Sequence, residues 1–126
     1  MIDINKQITY WRESAKEDWE VALELVGNNR YRHGLFFAHL ALEKILKAFV
    51  CKETNELAPK IHNLIRLAEL AKIDLTSEQF NLLTDMNPFN IEGRYSDSLS
   101  TPPTKEETTT FMSRAEEVFI WLINQL

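Results

Sequence analysis

Arg32, His39, Glu43 and Lys47 stand at intervals of seven, four and four residues in a stretch that is otherwise apolar. A helix turns about 100° per residue, so these intervals set all four on one narrow stripe, the single polar track of an apolar helix. Two kinds of chemistry fit it. In one, the stripe is an internal ion-pair ladder: Glu43 precedes Lys47 in the favourable i to i+4 order, and His39 hydrogen-bonds Glu43. In the other, it is a ligand-binding or catalytic site, since perturbed ionisable groups gather where function needs them. His62, and Arg94 with Tyr95 in a turn-rich segment, are placed to fold back on the stripe. Asp18 is a further carboxylate in the apolar seam of an earlier helix, and it calls for a cationic partner.

Other site chemistries are not written in the chain. It has no glycine-rich phosphate loop, no His-Glu-x-x-His helix and no serine in a nucleophile-elbow context. His33, His39 and His62 match no standard metal-ligand spacing and His33 is expected to face solvent, so neither a metal nor a cofactor is expected. Cys51, the one cysteine, excludes an intrachain disulfide and a cysteine-based zinc site and favours a reducing compartment. Lys44, Lys47, Lys52, Lys60 and Arg66 gather around the end of the second helix and read as a solvated basic end, with a phosphate groove as the alternative. The net charge of −5 is the wrong sign for coating nucleic acid, so any contact with phosphate must be local.

Helices must position these groups. Ile4, Ile8, Trp11, Ala15, Ala22 and Leu25 recur at helical spacing over about 4–26, and Gly27, Asn28 and Asn29 supply the stop. The second helix, about 31–53, has the seam Leu35, Ala38, Leu42, Ile45 and Phe49 and is apolar on nearly every other face. It is expected to be the central helix, with one side in the core and another against a second copy of the chain, burial by the other helices of the same chain being the alternative. Pro59 is read as opening a third helix to Lys72, and Thr76 with Gln79 as a capping box for a fourth, which Pro88 ends. After an irregular connection over 87–104, Thr104 and Glu107 cap a last helix carrying Phe111, Ala115, Val118, Trp121 and Leu122. No stretch alternates with period two. At 126 residues the expectation is one domain, 1–126: an all-α, up-and-down bundle of four main helices plus a short additional one. No segment reads as a leader or a membrane span, which points to a cytoplasmic protein.

Three blocks of the chain resemble the HEPN domain of bacteria and archaea: Leu35-Phe36-Phe37-Ala38-His39-Leu40-Ala41-Leu42-Glu43-Lys44-Ile45-Leu46-Lys47-Ala48, then Lys60-Ile61-His62-Asn63-Leu64, then Phe89-Asn90-Ile91-Glu92-Gly93-Arg94-Tyr95. They occur in the family's order and spacing, within a match from about Ile8 to the Trp121-Leu122 end. The resemblance implies a helical bundle that forms a homodimer, with polar groups in a cleft at or near the interface. It also implies a minimal nucleotidyltransferase as partner, in a toxin–antitoxin pair, and nucleotide or RNA as ligand. Several branches of the family are metal-independent ribonucleases with an arginine, four to six spacer residues and a histidine; others are described as nucleotide-binding or accessory domains. Here Arg94-Tyr95 sits where that arginine is expected, yet no histidine follows it, and Arg32 and His39 have the spacing on the wrong helix. The candidate catalytic residues are therefore Arg94, His39 and His62, and the ligand-binding set is His39, Glu43, Lys47, His62, Arg94, Tyr95 and Asp18.

Overall fold

The Asp3 carboxylate accepts a hydrogen bond from the Lys6 backbone N–H at 3.1 Å and so starts the first helix, α1 (Ile4–Gly27). In the computed structural model, which describes residues 2–90 and 101–126, it is followed by α2 (Tyr31–Thr54), α3 (Leu64–Leu70), α4 (Ser77–Met86) and α5 (Lys105–Ile123). No strand occurs among the described residues. Asn29, at φ 63°, takes the left-handed turn position between α1 and α2, and Asn55, at φ 59°, ends α2 in the same conformation. Thr76 with Gln79 and Thr104 with Glu107 form the two capping boxes that their spacing predicts.

The third helix starts later than proline suggested. Residues 57–63 are not helical, and Asn63 supplies the N-cap, its side-chain oxygen accepting from the N–H groups of Ile65 and Arg66. A side-chain acceptor satisfies orphan amides that a proline ring only omits, so the cap sets the boundary.

From the turn at 28–30 the first two helices run antiparallel: Gly34 lies against Val26, Lys44 against Asp18 and Lys47 against Trp11. Gly34 permits the closest approach. A Cβ built there would overlap Val26 Cγ2 and come within 3.3 Å of the Ala22 carbonyl oxygen. Helix α2 is central, as expected, and packs on α1, α3 and α5.

Its coverage differs from the expectation. Leu35, Ala38, Ala41, Leu42, Ile45 and Leu46 are fully buried within one chain, and only Phe36, Phe37, Leu40 and Phe49 among its large apolar side chains stay partly exposed. The apolar character of α2 therefore does not by itself call for a second copy. A further contact, absent from the sequence reading, ties α1 to α5: Trp19 stacks on Phe119 with ring centroids 5.1 Å apart and planes at 11°.

Cys51 is buried, and desolvation pushes its thiol above the ordinary range, only partly offset by backbone hydrogen bonds at Ala58 and Cys51. It stays protonated at neutral pH and is a core residue. No described helix is long and apolar enough to cross a membrane.

The Gly34 crossing gives a direct test of this packing. Gly34→Ala is expected to lose about 1–3 kcal/mol of stability by overpacking, and Val26→Ala in the same chain to return part of that loss. Urea denaturation of the two single variants and the double variant checks it.

Candidate functional site

Glu43 lies in the middle of α2 with 4% of its surface exposed. One turn on, the Lys47 ammonium is 3.1 Å from Oε2. One turn back, His39, fully buried, brings Nδ1 to 3.8 Å from Oε1, an electrostatic rather than a hydrogen-bond distance. From outside the helix, His62 Nδ1 lies 3.1 Å from both Oε1 and Oε2. The ladder thus forms between Glu43 and Lys47 but without the expected His39–Glu43 hydrogen bond, and of the residues expected to fold back on it His62 does so. The α1 side is closed by Trp11, whose ring lies 5.2 Å from Lys47 Nζ, a distance suited to a cation–π contact.

Burial is what makes this group costly and therefore informative. A lone carboxylate removed from water loses far more solvation than one neighbour restores, whereas a lysine and a histidine meeting both oxygens supply charge and directed donors. The i to i+4 order of Glu43 and Lys47 comes from the helix itself. His62 is different, because its place depends on the nonhelical run before α3.

That run is held by an amide clasp. Asn87, the C-cap of α4, accepts from the Leu64 N–H at 2.9 Å and donates through Nδ2 to Asn63 Oδ1 at 3.3 Å. The clasp fixes the backbone beside His62 against the end of α4. His62, 49% exposed at the side chain, then borders a recess of about 470 Å³ lined also by Asn63, Thr84, Asn87, Pro88 and Asn90. The recess wall carries no charged side chain among these residues apart from the imidazole when protonated.

The remaining candidates fall elsewhere. Asp18, 9% exposed, finds its cation in Lys44, whose Nζ is 2.7 Å from Oδ2; the approach is a charge contact outside hydrogen-bond geometry, and the same ammonium donates to Ser14 Oγ at 2.8 Å. This pair binds α1 to α2. Lys44 and Lys47 are thereby withdrawn from the supposed solvated basic end, while Lys52, Lys60 and Arg66 are exposed. Arg32, at the start of α2, is eleven residues from Glu43, about 16 Å along the axis, so the four-residue stripe is split. His33 is exposed. Arg94 and Tyr95 lie outside the described residues. No group of three or more His, Cys, Asp or Glu side chains suited to a metal ion occurs among the described residues.

The Asn63–Asn87 clasp and the Trp19–Phe119 stack were missed at the sequence level. Asn63 carried a usable signal, an asparagine directly before the apolar run Leu64-Ile65. For the stack there was none, because it joins residues one hundred positions apart.

Helices of this order, with a buried carboxylate on the central one and a half-exposed histidine folded back onto it, define a helical-bundle domain with a polar site at one end of α3. The chain belongs to the HEPN family: the model of the HEPN domain matches residues 8–126. No curated protein matches the chain in sequence. Among solved structures it is similar to TT1696 from Thermus thermophilus, with 19% identity over 95% of this chain and 98% of that one and a TM-score of 0.78, a likeness of fold.

Removing one partner of the buried pair should cost more than removing both. Lys47→Met is expected to destabilise by about 3–5 kcal/mol, because it leaves Glu43 buried without its ammonium. Adding Glu43→Gln should recover at least about 1 kcal/mol of that loss. A double-mutant cycle from denaturation curves checks the coupling, and a value near zero would mean that the pair is hydrated in solution.

Proposed function

We propose that this HEPN domain binds a phosphate-bearing ligand, a nucleotide or an RNA, in the recess beside His62, as a cytoplasmic homodimer and as the HEPN component of a toxin–antitoxin-type pair with a minimal nucleotidyltransferase. The observation that carries the reading is the placement of His62, anchored on its inner side by a nearly buried carboxylate and bordering on its outer side a recess whose rim offers the amides of Asn63, Asn87 and Asn90. A histidine so held offers a ligand a fixed ring nitrogen. Arg94, which the sequence places in the family's arginine position, is the proposed phosphate contact, with Tyr95 shaping the cleft and His39 and Glu43 supporting from beneath. Local recognition of this kind suits a chain with a net charge of −5, which has no general affinity for polyanions. The dimer and the nucleotidyltransferase partner rest on family membership.

A second reading has an observation of its own. Lys47 and His62 meet both oxygens of Glu43, which is also what a purely structural brace requires, so the domain could act as a non-catalytic protein-interaction module. Ribonuclease activity ranks third. It would need His62 or His39 as base with Arg94 on the phosphate, in place of the family's arginine-spacer-histidine order.

Isothermal titration with ATP, GTP and short RNAs separates these readings. The expected result is binding heat, weakened about tenfold or more in Arg94→Ala, as fits the loss of a hydrogen bond to a charged group, and about severalfold in His62→Ala, as fits the loss of a neutral one. Absence of heat at millimolar ligand would remove the phosphate reading and favour the interaction module.

A further inference from the structure

An imidazole with both nitrogens in water has no fixed tautomer, and which nitrogen carries the proton is decided by the hydrogen bonds that the ring makes. At His62 the choice is constrained. Nδ1 lies 3.1 Å from each oxygen of Glu43, equidistant from the two, so the carboxylate faces that nitrogen squarely. A carboxylate only accepts. The nitrogen facing it must then be an N–H, in the neutral ring as well as in the cation. Proton transfer to solvent therefore leaves from Nε2, on the other side of the ring carbon between the nitrogens.

The surroundings enforce this arrangement from four sides. Lys47 Nζ, 3.1 Å from Oε2, pairs with the carboxylate and restricts its rotation. His39 approaches Oε1 from the preceding turn at 3.8 Å. From α1, the Trp11 ring covers Lys47 and contributes no titratable group. On the recess side, Asn63, Thr84, Asn87 and Asn90 bring amides and a hydroxyl, with no charge among the described residues that line it. The backbone of His62 is fixed independently through the Asn63–Asn87 pair.

We infer that Glu43 is a positioning residue: it holds His62 as the Nδ1–H tautomer, so that the atom presented to a ligand is the bare Nε2, an acceptor for a hydroxyl on a sugar-phosphate ligand. The assignment of the ligand rests on the phosphate reading above, whereas the assignment of the tautomer does not. A phosphate oxygen is itself an acceptor and gains nothing from a neutral Nε2, so a ligand hydroxyl is the matching group. The inner carboxylate thus affects what the recess selects without touching the ligand, in the way that a carboxylate behind a metal-bound or catalytic histidine sets the ring's tautomer and direction.

The test is long-range proton–nitrogen correlation of the His62 ring in the full-length protein, at a pH above its titration. The result expected for the unmodified chain is a protonated Nδ1 and an unprotonated Nε2. An Nε2–H tautomer there overturns the inference, with no variant needed. In Glu43→Gln the preference should collapse toward a mixture, while Glu43→Asp, which keeps a carboxylate, should restore most of it. A Glu43→Gln ring that keeps the Nδ1–H form as fully as the unmodified chain also overturns the positioning role.

The second arm adds AMP or 2′,3′-dideoxy-AMP to the unmodified protein. AMP should move the Nε2 resonance, and the dideoxy form, which keeps the phosphate but lacks both hydroxyls, should move it at least severalfold less. Equal displacement by the two overturns the hydroxyl assignment. If neither nucleotide binds while the Nδ1–H tautomer is found, the positioning role is upheld and the phosphate reading is the one that fails.

Discussion

The Glu43 carboxylate sits at the centre of the helix around which the bundle is built, and water is nearly excluded from it. An ion in that position is tolerated only if the fold brings it counter-charge and donors with good geometry. Lys47 meets the demand from the same helix, at no topological cost, because four residues of sequence already put the two side chains face to face. The second donor has to come from elsewhere, and it comes from the least regular stretch of the described structure, the run before α3. The late start of α3, the asparagine cap and the clasp to α4 together place one imidazole against that carboxylate. Helix α1 closes the arrangement with an indole over Lys47 and, two turns away, an acidic side chain of its own that occupies Lys44.

Elements whose determinants are local were legible in the sequence. Both capping boxes, the asparagine turn between α1 and α2 and the long central helix depend on residues within a few positions of one another. The buried stripe was legible for the same reason: His39, Glu43 and Lys47 share a face by arithmetic alone. What the sequence did not disclose depends on distance through space. Asp18 announced that it needed a cation, but Lys44 looked like part of a solvated basic end until α1 was laid beside α2. Trp19 stands one residue beyond the apolar seam of α1, yet it is buried because α5 passes over it with Phe119. The apolar breadth of α2 was read as surface for a second copy, whereas α1, α3 and α5 cover most of it within one chain. Pro59 gave a true local preference that a better-placed cap overrode.

Fold and function are separable in this family member. The bundle is shared with a chain at 19% identity, so its architecture tolerates wide change in sequence. The polar group on α2 is less generic, because each of its members is tied to a specific neighbour by distance and donor type. The sequence also departs from the arginine-spacer-histidine order: His62 precedes Arg94 in the chain, and no histidine follows it.

The Asn63–Asn87 pair divides the cluster into two layers of unequal durability. Glu43, Lys47 and His39 belong to a 24-residue helix deep in the bundle, while His62 precedes a seven-residue helix that is held by Leu64, Leu67 and Ala68 in the core and tied to α4 by two amide hydrogen bonds. Partial openings in proteins begin where buried contacts are fewest. The thinner layer is therefore the nonhelical run that carries the half-exposed His62, not α3 itself, whose Leu64, Leu67 and Ala68 lie in the core. The acidic side chain is consequently held by one partner on its own helix, Lys47, and by one, His62, whose place depends on the join between α3 and α4.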